Sequence, residues 1–292
     1  MTDRTRGEGA LTLVQAWTQA RRRLEAAGVD APVIDARLLL EAAAGASRAD
    51  IVTDPHRLLT AAQMIALEGF LARREGREPV SHILGRKGFW TVELKVTPDV
   101  LTPRPDTETL VDGLLKSLPA EAPAHILDLG VGSGAILLAL LAERPAWSGV
   151  GVDISVEALQ VARENAALLK LDDRAHFVHA CWAEGQPDGA FDAVAANPPY
   201  IPSAHIDGLD PEVSRHEPRL ALDGGADGLD AYRVLAPEVL RVLKPGGVFA
   251  LEIGHDQGQA VERLMQAAGA GYCRVISDLG QRDRVVIGRA QA

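Results

Sequence analysis

Four consecutive residues, Asn197-Pro198-Pro199-Tyr200, have the chemistry of a rigid site for a planar nitrogen. Proline has no N–H group, so its peptide unit only accepts hydrogen bonds, and its ring fixes φ. The Asn197 side-chain oxygen adds a second acceptor. Two fixed acceptors suit an NH2 group with two coplanar hydrogens, and Tyr200 can stack on a flat substrate. A rigid surface turn is the alternative, because Asn-Pro often marks turns.

An amide nitrogen held in this way becomes a better nucleophile. Its lone pair is normally delocalised into the carbonyl group. Hydrogen bonds from both N–H groups localise that pair and aim it at an electrophile, and such positioning supplies much of the catalysis of an in-line transfer. The tetrapeptide therefore predicts group transfer to nitrogen, without a strong base acting before the transfer.

A glycine-rich loop earlier in the chain predicts a nucleoside site. It reads Gly130-Val131-Gly132-Ser133-Gly134, after a predicted strand and before a predicted helix. Helix N-termini offer free N–H groups, and an acid at the end of the second strand, here Asp153, can accept ribose hydroxyls. Trp182 follows the third strand, where its ring can stack on adenine. The pattern suits NAD or SAM (S-adenosylmethionine), although the glycine spacing disfavours NAD. Each feature also has a purely structural alternative: a tight turn for the glycines, a helix N-cap for Asp153 and core packing for Trp182.

These residues lie in a predicted α/β region that follows a helical one. Residues 10–75 have helical periodicity, with Asp30 as an N-cap before Pro32 and a third helix over Thr60–Arg74. Residues 79–103 resemble a β-hairpin. From residue 125 strands and helices alternate, which predicts a sheet covered on both faces. The predicted strands are His125–Leu129, Gly149–Asp153, His176–His179, Ala190–Ala195, Gly247–Ile253 and Arg284–Gly288, and the helices between them include Ala135–Glu143 and Val156–Leu168.

Composition and charge narrow the classes of partner. The 292 residues are 47% hydrophobic and 24% charged, with a net charge of −10. Residues 1–80 carry 11 basic and 11 acidic side chains, so the whole deficit lies in residues 81–292. That surface disfavours loose binding to a phosphate backbone. Cys181 and Cys273 have no metal-ligand spacing, and no signal peptide or run of about 18 apolar residues is present. We expect a cytoplasmic protein without a metal or a membrane span.

Further motifs resemble one family, the HemK/PrmC methyltransferases. The stretch Glu78–Gly85, then Phe89-Trp90 and Thr102–Glu108, is similar to the family's "EPxxYIxG…FxG…IPRPETE". Downstream, His216-Glu217-Pro218 and Ala221–Gly225 are similar to its "EPxxALxGG" loop. The resemblance covers nearly the whole chain. It implies a class I, Rossmann-like SAM-dependent methyltransferase domain over 109–292, a small helical substrate-docking domain over 1–78 and a β-hairpin linker over 79–108.

The resemblance also implies a reaction and roles for individual residues. The family transfers a methyl group from SAM to the side-chain amide nitrogen (N5) of the glutamine in the Gly-Gly-Gln motif of class I peptide chain release factors. The glycine loop would wrap the methionine part of SAM, Asp153 would bind the ribose, and Trp182 would lie near the adenine. Asn197 and the Pro198 carbonyl would hold the glutamine amide, with Pro199 and Tyr200 completing the site. Arg104, Pro105 and Thr107 would close over the cofactor.

Three departures and two alternatives accompany that resemblance. The family's usual Asp before Trp182 is Cys181, its usual Thr after the first glycine is Val131, and a linker Tyr is His82, to which we give no catalytic role. The tetrapeptide also occurs in nucleic-acid methyltransferases that act on adenine N6 or cytosine N4. Such an enzyme must extract a base from its stack and normally has a basic face. The negative charge of residues 81–292 disfavours this alternative.

A non-catalytic SAM-binding module is the other alternative, but it would have no use for two aimed acceptors.

Overall fold

The computed structural model describes residues 10–292, in which the chain forms two compact units. The first consists of the chain up to Gly85 together with Pro211–His216. The second consists of Arg86–Asp210 and Glu217–Ala292. The units therefore divide between residues 85 and 86. The functional boundaries predicted at residues 78 and 108 stay a prediction.

The described part of the first unit contains a bundle of five consecutive helices, and the segment Pro211–His216 adds one more short helix. Thr12, Ser47 and Thr60 each form a capping box at a helix start, in which side chains satisfy backbone N–H groups that have no partner within the helix. Leucines such as Leu13, Leu24 and Leu39 are fully buried between the helices. The helices are α1 Leu13–Ala26, α2 Pro32–Ala44, α3 Arg48–Thr53, α4 Ala61–Glu75 and α5 Val80–Leu84.

A buried ion cluster joins the segment Pro211–His216 to the rest of the first unit. Arg74 lies 2.8 Å from Asp35 and 2.7 Å from Glu212, and Arg77 also contacts Glu212 at 2.7 Å. Burial opposes ionisation of Glu212, but hydrogen bonds from Arg77 and Arg74 lower its pKa to about 2. Removal of one partner from such a cluster leaves a buried charge uncompensated. The cluster therefore holds the segment Pro211–His216 against the rest of the first unit.

Two predictions in this part of the chain were wrong. The N-cap of α2 is Ala31, which makes no side-chain cap, although Pro32 does begin the helix. The predicted hairpin begins later, because Val80–Leu84 forms a helix that starts after Pro79 and ends at Gly85, whose φ is 69°. Val80 and Ile83 are spaced by three residues, which fits a helix better than a strand. The hairpin consists of β1 Arg86–Phe89 and β2 Val92–Lys95.

The second unit is built on a seven-stranded sheet with the order β5-β4-β3-β6-β7-β9-β8. The first five strands in this order are parallel, and β9 is antiparallel to both β7 and β8. The strands are β3 His125–Leu129, β4 Ser148–Asp153, β5 Ala175–His179, β6 Phe191–Ala196, β7 Leu243–Glu252, β8 Ala270–Ser277 and β9 Asp283–Ala290.

Six further helices follow the hairpin, and most of them cover the sheet. Their bounds are α6 Glu108–Ser117, α7 Ala135–Glu143, α8 Val156–Leu168, α9 Pro211–Ser214, α10 Asp230–Val242 and α11 Gly258–Ala267. Helices α6, α7 and α8 pack with Ile126, Ala193 and other residues of one sheet face. Helices α10 and α11 pack on Leu127, Val194 and the opposite face. None of the helices in residues 10–292 is long and apolar enough to span a bilayer.

The predicted α/β alternation is confirmed, with one strand missed. The bounds of β3, α7 and α8 agree with the prediction, and β7 begins four residues earlier than predicted, at Leu243. Strand β8 was not predicted. It lies at the sheet edge, and its exposed Tyr272 and Arg274 alternate with buried Cys273 in a short pattern rich in small residues. Such an edge strand carries a weak hydrophobic signal.

Candidate active site

A cavity of about 310 Å³ opens at the carboxyl ends of the parallel strands, where open α/β sheets bind ligands. Loops that follow β3, β4, β5 and β6 line one part of it, and the segments 99–104 and 218–221 line another. All of its lining residues belong to the second unit. They fall in the segments 99–104, 130–133, 135–136, 152–155, 181–182, 197–199 and 218–221, with Thr107 and Ala158.

The glycine loop connects β3 to α7 and lines one end of this cavity. Gly130, Val131, Gly132 and Ser133 line it, whereas Gly134 is the N-cap of α7 with φ of 85°. A Cβ atom at Gly134 would lie 2.8 Å from the Leu138 side chain, and the positive φ also disfavours a larger residue there. The N–H groups of Gly130 and Val131 already donate to the Val152 carbonyl. Amides nearer the start of α7 are therefore the donors left for a ligand.

Asp153, the last residue of β4, organises this end of the cavity. One carboxylate oxygen accepts from the Gly132 N–H group at 2.9 Å, and the other accepts from the Ser155 N–H group at 2.9 Å. Ser155, not Asp153, is the N-cap of α8, so the N-cap alternative for Asp153 is wrong. A carboxylate has about four acceptor sites, so Asp153 retains capacity for ribose hydroxyls.

Asn165 supports the same loop from α8 and was missed in the sequence. Its side chain is fully buried and donates to the Ser133 carbonyl at 2.8 Å. It also accepts from the Lys95 N–H group at 2.6 Å and donates to the Lys95 carbonyl at 3.0 Å. The amide thus ties the glycine loop to β2. A single Asn within an amphipathic helix carries no signal that distinguishes it from a surface residue.

Cys181 and Trp182 line the cavity beyond β5. Trp182 has φ of 49°, which is uncommon for a residue with a side chain, and its ring lies 3.7 Å from the position of a Cβ atom at Gly130. The ring also packs against the apolar cluster on one sheet face. The cavity-lining and core-packing interpretations of Trp182 thus hold together. Cys181 is exposed, with its thiol free.

The tetrapeptide follows β6, and a later loop holds its backbone. Ile201 pairs with Asp223 in an isolated parallel bridge, and the Gly224 N–H group donates to the Ile201 carbonyl at 2.9 Å. A Cβ atom at Gly224 would lie 2.8 Å from the Pro199 oxygen. The Gln257 side chain donates to the Tyr200 carbonyl at 3.0 Å. This backing fixes the tetrapeptide more firmly than its two prolines do alone.

The two residues that carry the predicted acceptors border the cavity. Asn197, Pro198 and Pro199 line the cavity. The Asn197 side-chain nitrogen donates to the Thr107 hydroxyl at 3.4 Å, which turns its oxygen away from Thr107. Among residues 10–292, no backbone or side-chain donor forms a hydrogen bond with the Pro198 carbonyl. Both acceptors are thus available to a ligand.

Tyr200 occupies a different position from the other three residues. It is not among the residues that line the cavity, and its ring packs against the apolar cluster under α10 and α11. Burial, together with the negative charge of Glu252, raises the pKa of its phenol to about 12. Tyr200 therefore stays neutral, and its predicted stacking on the substrate stays a prediction.

The segment before α6 borders the cavity on the remaining side. Leu101, Thr102, Arg104 and Thr107 line it, whereas Pro105 does not. The buried Glu217 carboxylate accepts from the Thr102 N–H group and pairs with Arg104. Burial raises the pKa of Glu217, which the charge of Arg104 opposes. His82, in contrast, lies buried in α5 of the first unit.

Two further buried carboxyl groups lie at or next to the last residue of a strand, and neither was predicted from the sequence. Burial raises the pKa of Asp128, at the end of β3, to about 7, although the Leu137 N–H group donates to it at 3.1 Å. Burial likewise raises the pKa of Glu252, the last residue of β7, to about 7. An acidic residue that ends an apolar strand is the signal that would have identified them. In the described part of the chain, no cluster of His, Cys, Asp and Glu side chains could hold a metal.

Comparisons with known proteins identify the family to which the chain belongs. Residues 15–85 match a model of the PrmC N-terminal domain, and residues 104–208 match the methyltransferase small domain. The chain is 62% identical to the release factor glutamine methyltransferase of Caulobacter vibrioides, over 95% of this chain and 96% of that protein. It is 47% identical to the protein of the same name from Rhodospirillum rubrum, over 98% of this chain and 87% of that one.

One solved structure shares the fold. The 16S rRNA N2 G1207 methyltransferase of T. thermophilus, in complex with AdoMet and guanosine, is 18% identical, with a TM-score of 0.51, covering 70% of this chain and 50% of that one. The chain belongs to the release factor glutamine methyltransferase family. It is a SAM-dependent methyltransferase with a Rossmann-like fold. The glycine loop, Asp153 and the cavity above β3 and β4 fit this cofactor, because they offer backbone donors, a ribose acceptor and an apolar wall.

Proposed function

We propose that this chain, as a member of that family, methylates the side-chain amide nitrogen of the glutamine in the Gly-Gly-Gln motif of class I release factors. The observation that carries the proposal is the pair of acceptors on the tetrapeptide, the Asn197 side-chain oxygen and the Pro198 carbonyl. They match the two coplanar N–H bonds of a carboxamide. This chain covers nearly the whole length of the two relatives named above, and their names supply the identity of the substrate.

At the acceptor end, the chain would orient the nitrogen and localise its lone pair, which is otherwise delocalised into the carbonyl group. When bound, SAM supplies an electrophilic methyl group. Asn197 and Pro198 would hold the glutamine amide so that its lone pair faces the cofactor side of the cavity. The methylated nitrogen is acidic, so its surplus proton leaves to water, and no strongly basic side chain is needed. The neutral phenol of Tyr200 is consistent with a packing role there.

At the cofactor end, we assign binding to the loop, to the acid after β4 and to the indole ring. Gly130, Val131, Gly132, Ser133 and Gly134 would cradle the methionine part, and Asp153 would accept the ribose hydroxyls. Trp182 would flank the adenine. Arg104 and Thr107 would cover the cofactor from the opposite wall, whereas Pro105, which does not line the cavity, would only shape the turn between them.

The predicted division into domains gives the rest of the chain a role. Residues 1–78 would dock the release factor, residues 109–292 would carry out the transfer, and residues 79–108 would link these two domains. The partner is thus a protein of the translation machinery, and we place the reaction in the cytoplasm. A nucleic-acid base is the weaker candidate, because the charge deficit of residues 81–292 opposes a phosphate backbone.

The test is transfer of labelled methyl groups from SAM to a purified class I release factor. We expect the Gly-Gly-Gln peptide to gain the mass of one methyl group on its glutamine. A factor with that glutamine replaced by alanine is the matched control and should remain unlabelled. Label on DNA or RNA, with none on the release factor, would contradict the proposal.

A further inference from the structure

A buried carboxyl group, Glu252, lies beneath the tetrapeptide. Strands β6 and β7 are parallel neighbours, and Ala196 pairs with Leu251. Asn197 and Glu252 are the next residues on the two strands, so they lie side by side at the edge of the cavity. The Glu252 side chain is 1% exposed, so it does not itself contact solvent or form the cavity wall.

The Thr107 and Asn197 side chains lie close enough to the Glu252 carboxylate to lower its pKa, against the larger effect of burial. The Thr107 hydroxyl accepts from the Asn197 nitrogen at 3.4 Å, so its own hydrogen is left to point elsewhere, and Glu252 is the acceptor next to it. The Asn197 nitrogen thus faces Thr107, beside the strand that ends at Glu252. An amide with its nitrogen held there must direct its oxygen the other way, toward the cavity that Asn197 lines.

Burial of the Glu252 carboxyl group lowers the stability of the folded state. One of its oxygens is fully buried without a hydrogen-bond partner. The nearby cation, Arg284, forms ion pairs with Asp106 at 3.2 Å and with Asp278 at 3.4 Å, not with Glu252. A buried carboxylate that lacks a paired cation destabilises the folded state. Packing alone would be served better by a neutral side chain of similar size.

We propose that Glu252 is a positioning residue, which holds the Asn197 amide in the one orientation that presents an acceptor oxygen to the substrate nitrogen. An asparagine amide has similar shapes in its two flipped forms, and only its hydrogen-bond partners select between them. The flipped form would present N–H donors to the NH2 group of the substrate and could not bind it. This inference rests on the proposed function, because it assumes a substrate that donates two hydrogen bonds.

The carboxylate form of Glu252 is the form that selects this orientation. A protonated carboxyl group carries a donor, which would favour the Asn197 oxygen facing inward. Burial raises the pKa of Glu252 to about 7. The charged and titratable groups that face it are Asp106 before α6, Arg284 on β9, Tyr200 after the tetrapeptide and Tyr232 on α10. Turnover should therefore fall as the pH decreases through about 7.

The first test replaces the carboxyl group by an isosteric amide. Glu252→Gln keeps one acceptor but introduces a donor and cannot ionise, so kcat at pH about 8 should fall about tenfold while the Kd for SAM changes by less than about threefold. The inflection of kcat near pH 7 should disappear. Wild-type kcat, or an unchanged inflection, would overturn the positioning role.

Thermal stability supplies a readout that does not depend on turnover. The folded-state pKa of Glu252 is raised from its ordinary value of 4.5 to about 7, so the folded protein loses stability as the pH rises through this range. Glu252→Gln removes that loss. The difference in Tm, variant minus wild type, should grow between pH about 5 and about 8. A Tm that falls in parallel with kcat would instead show a structural role.

Tyr232→Phe is the matched control. The Tyr232 hydroxyl donates to the backbone carbonyl of Glu252 at 2.7 Å, so this variant disturbs the same residue without touching its carboxylate. We expect a lower Tm, kcat within about threefold and an unchanged pH inflection. If its pH profile flattened like that of Glu252→Gln, the effect would not belong to the carboxylate and the inference would fail.

A reciprocal exchange tests the contact directly and remains informative if one variant is unstable. Asn197→Asp places two carboxylates side by side and should lower kcat by about 100-fold or more. Combining it with Glu252→Gln supplies an N–H donor to the new carboxylate, whose second oxygen can then face the substrate. We expect the double variant to exceed Asn197→Asp by about tenfold in kcat. Additive losses would contradict the inference, whereas no wild-type turnover on the release factor would contradict the proposed function itself.

Discussion

The two ends of the cavity are supported in different ways. At the cofactor end, the binding elements lie close together in sequence, because β3, the glycine loop, α7 and β4 are consecutive. At the acceptor end, the tetrapeptide is backed by Thr107, Gly224, Glu252 and Gln257, which come from distant parts of the chain. Cofactor binding thus depends mainly on a local unit, whereas orientation of the substrate nitrogen depends on long-range packing.

The buried carboxyl groups at the two ends show the same contrast. Asp128 is the penultimate residue of β3 and Glu252 is the last residue of β7. Burial raises the pKa of both to about 7, and each has one buried oxygen without a partner. Asp128 accepts from a backbone N–H group of α7, so it fixes the start of a helix. Glu252 lies next to the Thr107 and Asn197 side chains, and we propose that it fixes the orientation of an amide. We therefore expect substitutions at the two ends to separate affinity from turnover.

Loss of the acceptor side chain should have the largest effect. Asn197→Ala removes one of the two groups that orient the nitrogen, so kcat should fall by about 100-fold or more, as for the loss of one aimed hydrogen-bonding group elsewhere. The Kd for SAM, measured by calorimetry, should stay within about threefold. If turnover survives, the acceptor pair does not orient the substrate.

Asp153→Ala should affect the opposite end. It removes the predicted ribose acceptor and releases the Gly132 and Ser155 N–H groups. The Kd for SAM should rise by about 10- to 100-fold, whereas kcat at saturating SAM should change little, because the tetrapeptide is untouched. A variant with normal affinity and low kcat would reverse the contrast between the two ends.

Gly224→Ala tests the long-range backing of the tetrapeptide. The new Cβ atom would lie 2.8 Å from the Pro199 oxygen and 2.9 Å from the Tyr200 Cα atom, both backbone atoms that must then shift. We expect kcat to fall about tenfold with little change in SAM affinity, since displacements of about 1 Å can cost more than that. Gly208→Ala, with no atom within 4 Å of its Cβ position, is the matched control and should keep wild-type kcat.

Cys181→Asp should give the smallest effect, and it should strengthen SAM binding where the other variants weaken binding or turnover. The thiol is exposed beside Trp182 and is a weak hydrogen-bonding group, whereas a carboxylate can accept strongly from the adenine amino group. SAM should bind about threefold to tenfold more tightly, as measured by calorimetry. Cys181→Ser serves as the control with a small neutral side chain. No gain for the aspartate variant would indicate that position 181 does not reach the adenine.

Much of the second unit was predictable because its signals are local. The bounds of β3, α7 and α8 follow from apolar periodicity, and the glycine loop lies where the first strand meets its helix. Predictions were wrong where a signal was short or mixed. Val80–Leu84 is a helix rather than part of a hairpin, Ala31 rather than Asp30 precedes α2, and the edge strand β8 was missed.

By itself, the sequence determined which chemical groups are available at the site: glycines before a helix, an acid after a strand, and two prolines that can only accept hydrogen bonds. Those properties belong to residue types and short spacings, and they survive without knowledge of the fold. Only the tertiary structure decided which of the two Asn197 amide orientations is held, because Thr107 and Glu252 reach it from segments 90 residues before it and 55 residues after it. Contacts across such separations are set by sheet order and packing, which no local pattern encodes.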